Sequence, residues 1–142
     1  MLNSSLIAII KAEVCTCAAM RPDGTVFYRE SGIGVKPLVT PMRIDRAFFK
    51  DAQVADKVIG RAAALLLVLS GASAVYGAVM SRTAMEILDR YGVPYEYGSA
   101  VPYITNRTGD GLCPLEQCVL GETCPETGWE KITRRIAELM KK

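Results

Sequence analysis

Between Ala62 and Met80 the chain reads AAALLLVLSGASAVYGAVM, without a single charge. A run of that length either spans a bilayer or is wrapped on all sides by the rest of a folded domain. Ser70-Gly71 favours the second case. Glycine stops a helix by taking the left-handed conformation, and ASAVYGAVMS beyond it has the length and the Ala, Val and Tyr content of one buried strand. The pattern predicts a helix capped by Asp51 and running to Ser70, apolar on almost every side from Ala62, followed by a strand from Ala74 to Met80. A chain of 142 residues, half of them apolar, has enough material for one core of this kind, so residues 1–142 are read as a single domain.

The rest of the composition narrows the chemistry. There is no histidine, which removes the commonest general base and the commonest imidazole metal ligand together. The net charge is +2 and the basic residues are scattered, so no stripe for tracking phosphates appears and nucleic acid is not an expected partner. MLNSSLIAIIKAEV lacks both a basic start and a small-residue cleavage pattern, and the five cysteines are odd in number and irregularly spaced. Reduced thiols in a cytoplasmic protein, with no membrane association, are the expectation.

Along the chain, Asn3, Ser4 and Ser5 can cap a helix reaching about Glu13. Val14–Arg21 and Thr25–Glu30, separated by Pro22-Asp23-Gly24, read as a β-hairpin with Cys15 and Cys17 on one face. The segment from Ser31 to Asp45 reads as a connection, since Gly32, Gly34, Pro37 and Pro41 oppose any long regular element. After the central helix and strand come a helix capped by Ser81 or Thr83 and closed by Gly92, and then a strand or strand pair in VPYEYGSAVPYI. An amphipathic helix carrying Trp129, Ile132, Ile136 and Leu139 ends the chain. A hairpin plus strand–helix–strand crossovers gives a three-layer α/β/α sandwich with a mixed sheet.

Three places carry candidate chemistry. Asp56 and Lys57, placed by this reading near the start of the long helix with Gly60 just beyond, could be a partly desolvated acid and amine beside bare backbone, or a structural ion pair. Ser81 and Thr83 open a helix after a central strand, where helix N–H groups can meet an anion or simply be capped. NRTGDGLCPLEQC, residues 106–118, has the grammar of a helix start: Pro114 suits the first helical position, Glu116 the third, and Cys113 falls at the cap, where the helix dipole favours a thiolate. Asn106 and Arg107 lie in the turn before it. The spacing of Cys113, Cys118 and Cys124 matches neither zinc ribbons nor iron–sulfur runs, so no metal and no cofactor is expected.

Ala55-Asp56-Lys57-Val58-Ile59-Gly60-Arg61-Ala62-Ala63-Ala64, Asn106-Arg107, Gly111-Leu112-Cys113-Pro114-Leu115-Glu116 and Gly34-Val35-Lys36-Pro37-Leu38 together resemble domain-of-unknown-function family 1893 over nearly the whole chain. This is an uncharacterised prokaryotic family of the cytidine-deaminase-like superfamily. The resemblance implies a cytidine-deaminase-like fold and no particular reaction. Zinc deaminases draw a His-x-Glu or Cys-x-Glu and a Pro-Cys-x-x-Cys from two successive helix starts. Those places are assigned here to Asp56-Lys57 and Ser81-Arg82-Thr83, neither of which supplies a thiolate or imidazole. The leading expectation is a deaminase-like domain without the zinc site that binds a small polar or anionic, nucleotide-like ligand. Lys57 and Arg107 would meet the anion, with Asp56 or Glu116 as acid or base. The competing readings are a thiol-dependent enzyme or redox sensor using Cys113, and a non-catalytic module in which Tyr91, Tyr95, Tyr97 and Tyr103 pack on a second copy in a homo-oligomer.

Overall fold

A computed structural model describes residues 2–106 and 108–141. Helix α1 (Ser4–Lys11) is capped by Asn3, whose Oδ1 accepts from the Ser5 N–H at 2.8 Å, and it buries Leu6 and Ile10. The hairpin follows as β1 (Cys17–Met20) and β2 (Val26–Glu30), turned at Gly24 with φ +92° and bulged between Ala19 and Met20. Helix α2 (Lys36–Ile44), strand β3 (Gln53–Ile59), helix α3 (Arg61–Ser70), strand β4 (Ala74–Ser81), helix α4 (Arg82–Arg90) and strand β5 (Tyr95–Val101) form the centre. Short α5 (Pro114–Cys118) and long α6 (Pro125–Leu139) complete the chain.

The sheet order is β2-β1-β3-β4-β5. Strand β1 is antiparallel to both β2 and β3, whereas β3, β4 and β5 run parallel, so the sheet is mixed as expected. One apolar cluster joins Cys17, Ala19, Val54 and Val75 of the strands to α2, α3, α4 and α6; a second joins Ala18, Met20, Ala55 and Tyr76 to Leu2, Leu6 and Ile10.

Three expectations are corrected. The helix from Asp51 to Ser70 is instead a strand, a glycine and a shorter helix. Asp51 does not cap it: its φ is +63°, and its N–H donates to Gly71 O in a turn. Residues 53–59 carry Val54, Val58 and Ile59 and find partners on both sides, β1 and β4, and that ladder outweighs a helical pattern an apolar run cannot exclude. The second correction is α2, formed in what reads as a connection. Pro37 starts it, and Pro41 inside it removes the N–H that would bond to the Pro37 carbonyl. The Tyr28 hydroxyl donates to that same carbonyl at 2.7 Å, so the cost of the internal proline is met by a side chain from β2. Third, Cys15 and Cys17 do not share a face: Cys15 belongs to the α1 cluster and Cys17 to the other.

Helix α3 is the buried element that the uncharged run requires, with Ala62 through Leu67 all in the core and Gly71 ending it at φ +86°. Its ten residues are about 15 Å long. Among the described residues no helix is long and apolar enough to cross a membrane. Close packing against α6 is set by Gly128, where a Cβ would stand 2.9 Å from Leu65 Cδ1.

Candidate functional site

At the end of β3 the chain turns at Gly60 into α3, and the segment before α2 and the start of α5 lie against this turn. Between them is a cavity of about 240 Å³. Its polar groups are Asp56 and Lys57 from β3, Cys113 and Glu116 from α5 and its cap, and Thr16 from the chain entering β1. Its walls are apolar: Ile33, Val35, Val58, Ala63, Ile104 and Leu115.

Glu116 is the best-anchored member. Its Oε1 accepts from the Arg61 N–H and its Oε2 from the Ala62 N–H, each at 2.9 Å. Gly60, the cap residue of α3, brings no side chain to this end, so the orphan donors of the helix are satisfied by a carboxylate supplied from α5. Glu116 is buried, and burial pushes its carboxyl above the usual range, against the opposing pull of the two N–H donors and the Arg61 guanidinium. Arg61 is itself buried and reaches away from the cavity, donating to Glu122 O at 2.7 Å and pairing with Glu86 at 2.5 Å.

Asp56 is 6 % exposed. Burial raises its carboxyl to about 7, although the Val58 N–H donates to Oδ1 at 3.3 Å and the Cys17 thiol opposite it on β1 also hydrogen-bonds to it. The Cys17 thiol is pushed well up by burial and then by Asp56. Among the described residues no Lys or Arg contributes to the Asp56 shift. Lys57, the next residue on the strand, is turned away by the pleat: its Nζ lies 3.2 Å from Glu13 at the end of α1, both side chains well exposed. Placing the pair on a helix is thus corrected, and Asp56 and Lys57 do not pair with one another.

Cys113 caps α5, as its spacing to Pro114 and Glu116 predicts, and lines the cavity. Asn106 turns inward on its own loop. Its Oδ1 accepts from the Gly109 N–H at 2.8 Å and its Nδ2 donates to Asp110 at 3.0 Å, while Thr105 and Leu112 bridge the loop ends. Within NRTGDGLCPLEQC, residues 108–111 turn the chain, and the second half delivers Cys113 and Glu116 to the cleft. Arg107 lies outside the described residues. Ser81 is fully buried, accepts from the Ala84 N–H at 3.0 Å and shares a hydrogen bond with Thr83; it caps α4 and does not line the cavity.

Thr16, Ile33, Val35 and Ile104 are cleft residues that reading the sequence missed. The signal for Val35 was Gly34-Val35-Lys36-Pro37, a helix start with Pro in its first turn. Zinc does not fit this cleft: the two oxygens of Glu116 are engaged by α3, and among the described residues no group of three or more Cys, Asp or Glu could hold a metal.

A family model for TM1506, a domain of unknown function (DUF1893), matches residues 5–136. The chain belongs to the DUF1893 family. The crystal structure of a DUF1893 family protein, TM1506 from Thermotoga maritima, resembles this DUF1893 chain with a TM-score of 0.80 at 23% sequence identity, over 97% of this chain and 92% of that one. At that identity the likeness speaks for the shared fold alone. No curated protein matches this DUF1893 sequence.

Proposed function

We propose that this DUF1893 protein is a three-layer, cytidine-deaminase-like domain that has no zinc site and uses the vacated cleft to bind a small polar metabolite. The observation that carries this reading is the cavity at the starts of α2 and α3, into which a buried carboxyl, Asp56, and a thiol, Cys113, are brought by two separate segments, β3 and the cap of α5. Zinc deaminases draw their ligands from two successive helix starts, the second through a Cys-x-x-Cys. The helix starts at this cleft are Val35-Lys36-Pro37 and Gly60-Arg61-Ala62-Ala63; Asp56-Lys57 lies on β3, and Ser81-Arg82-Thr83 opens α4 away from the cavity. Gly60 and Ala63 have the spacing of such a cysteine pair and both line the cavity, with the Glu116 carboxylate seated over the first turn of α3. A concave, mostly apolar site with a few convergent polar groups is the usual form of a metabolite pocket, and about 240 Å³ limits the ligand to a compact one.

The test is a thermal-shift screen of small metabolites against the wild type and Ala63→Leu, which places a larger side chain in the cavity. Stabilisation of the wild type by a compact ligand, absent in the folded variant, is the expected result. A silent screen, or equal stabilisation of both proteins, contradicts the reading.

A further inference from the structure

The electrostatics of the cleft select among small ligands. The natural place for a phosphate or carboxylate would be the N-terminus of α3, and both of its inward N–H groups are already held by Glu116. Of the described residues lining the cavity, Lys57 is the one that carries a cationic side chain, and its ammonium is drawn to Glu13. What remains facing the space is acidic: Asp56 from β3 and Glu116 from α5. The other groups around Asp56 are the Cys17 thiol from β1 and Cys113 ahead of α5, while β4 places Gly77 beside it. An incoming anion would meet two buried carboxyls and no free described cation, at a cost that grows with desolvation. An incoming cation would give Asp56 a counter-ion that no described residue supplies.

We propose that the cleft takes a compact, largely apolar molecule bearing a protonated nitrogen or amidine-like N–H edge, with Asp56 as its counter-ion. This rests on the cleft being a ligand site at all. It revises the anionic, nucleotide-like class expected from sequence: of the two cations counted on for the anion, Lys57 points elsewhere and Arg107 lies outside the described residues. Since burial raises the Asp56 carboxyl to about 7, the acid must ionise to receive the cation, and binding strengthens as pH rises through that value.

The experiment uses benzamidine and benzoate, the same ring with opposite charge, titrated into methyl-labelled wild-type protein while the methyl signals of Ile33, Val58 and Ile104 are followed. Benzamidine should perturb these signals, with affinity rising about tenfold between about pH 6 and pH 8, since only the ionised fraction of Asp56 is competent. Asp56→Asn, checked for an intact methyl spectrum, should lose both the binding and its pH dependence. Benzoate binding in place of benzamidine overturns the cationic class and leaves the cleft standing as a ligand site. Benzamidine binding with no pH dependence, or undiminished in the folded variant, overturns the role of Asp56. If neither probe moves a cleft methyl, the cationic class falls, and a silent metabolite screen beside it removes the ligand-site reading as well.

Discussion

Gly60 and Glu116 fit each other with no room to spare: a Cβ built on Gly60 would stand 2.7 Å from the Glu116 carboxyl carbon. The backbone at Gly60, φ −103° and ψ −174°, is extended and open to any residue, so glycine is needed here for space and not for conformation. Gly60→Ala should therefore push Glu116 off the first turn of α3 and cost about 1 to 3 kcal/mol. Chemical denaturation measures this, and an alanine variant as stable as the wild type would show that Glu116 can be moved without loss.

Removing the carboxylate tests the same contact from the other side. Glu116→Ala leaves two N–H groups at the start of a buried helix without their acceptor and should destabilise by about 2 to 4 kcal/mol. Glu116→Gln keeps one acceptor oxygen and should cost less. The ordering of the two variants in a denaturation series is the quantity to read.

Asp56 makes stability depend on pH in an unusual direction. Its carboxyl is raised from 3.8 to about 7 on folding, so the folded protein holds a proton that the unfolded chain has released. The contribution is fully present below about pH 4 and is lost as pH rises to about 7, a change on the order of 4 kcal/mol. Wild-type stability should fall across that window, apart from the other carboxylates, and Asp56→Asn should flatten the fall and be the more stable protein at about pH 8. Urea melts of both proteins at matched pH measure this; parallel profiles would contradict it.

Lys57 and Glu13 form an exposed pair with side chains 42% and 73% accessible. Lys57→Ala should change stability by less than about 1 kcal/mol and leave cleft binding within about twofold of wild type. A large loss of affinity, measured by titration, would mean that the ammonium serves the ligand after all.

The thiols provide a map of the site. Cys124 is exposed, Cys113 and Cys118 are partly so, and Cys15 and Cys17 are buried. Alkylation followed by mass spectrometry should label Cys124 first, then Cys113 and Cys118, and reach Cys15 and Cys17 only on unfolding. A cleft ligand should protect Cys113 and leave Cys124 unaffected.

Much of this was legible in the chain, and the failures have physical causes. Capping chemistry is local, so the caps were bracketed from their neighbours: Asn3 from Asn3, Ser4 and Ser5, Ser81 from Ser81 and Thr83, and Cys113 from its spacing to Pro114. The mixed sheet followed from the hairpin and the crossovers. Strand β3 was hidden because a buried strand continuing through one glycine into a buried helix has no period that separates them. Helix α2 was hidden because its internal proline argues against a helix, and the Tyr28 hydroxyl that meets the freed Pro37 carbonyl comes from across the fold. Asp56, Gly60, Cys113 and Glu116, named from the sequence, line one cavity, but the partner of each could not be read there. That Lys57 turns to Glu13 and Glu116 to α3 depends on the pleat of β3 and the return of α5, neither of which is written in spacing.

The most direct test is methyl NMR of the wild type with the best ligand from the metabolite screen. Shifts confined to Ile33, Val35, Val58, Ile104 and Leu115, with Ile87 and Leu88 of the buried face of α4 unmoved, are predicted for a ligand held in the Asp56 cleft. Saturable binding that leaves all five cleft signals in place would contradict it and move the site elsewhere on the molecule.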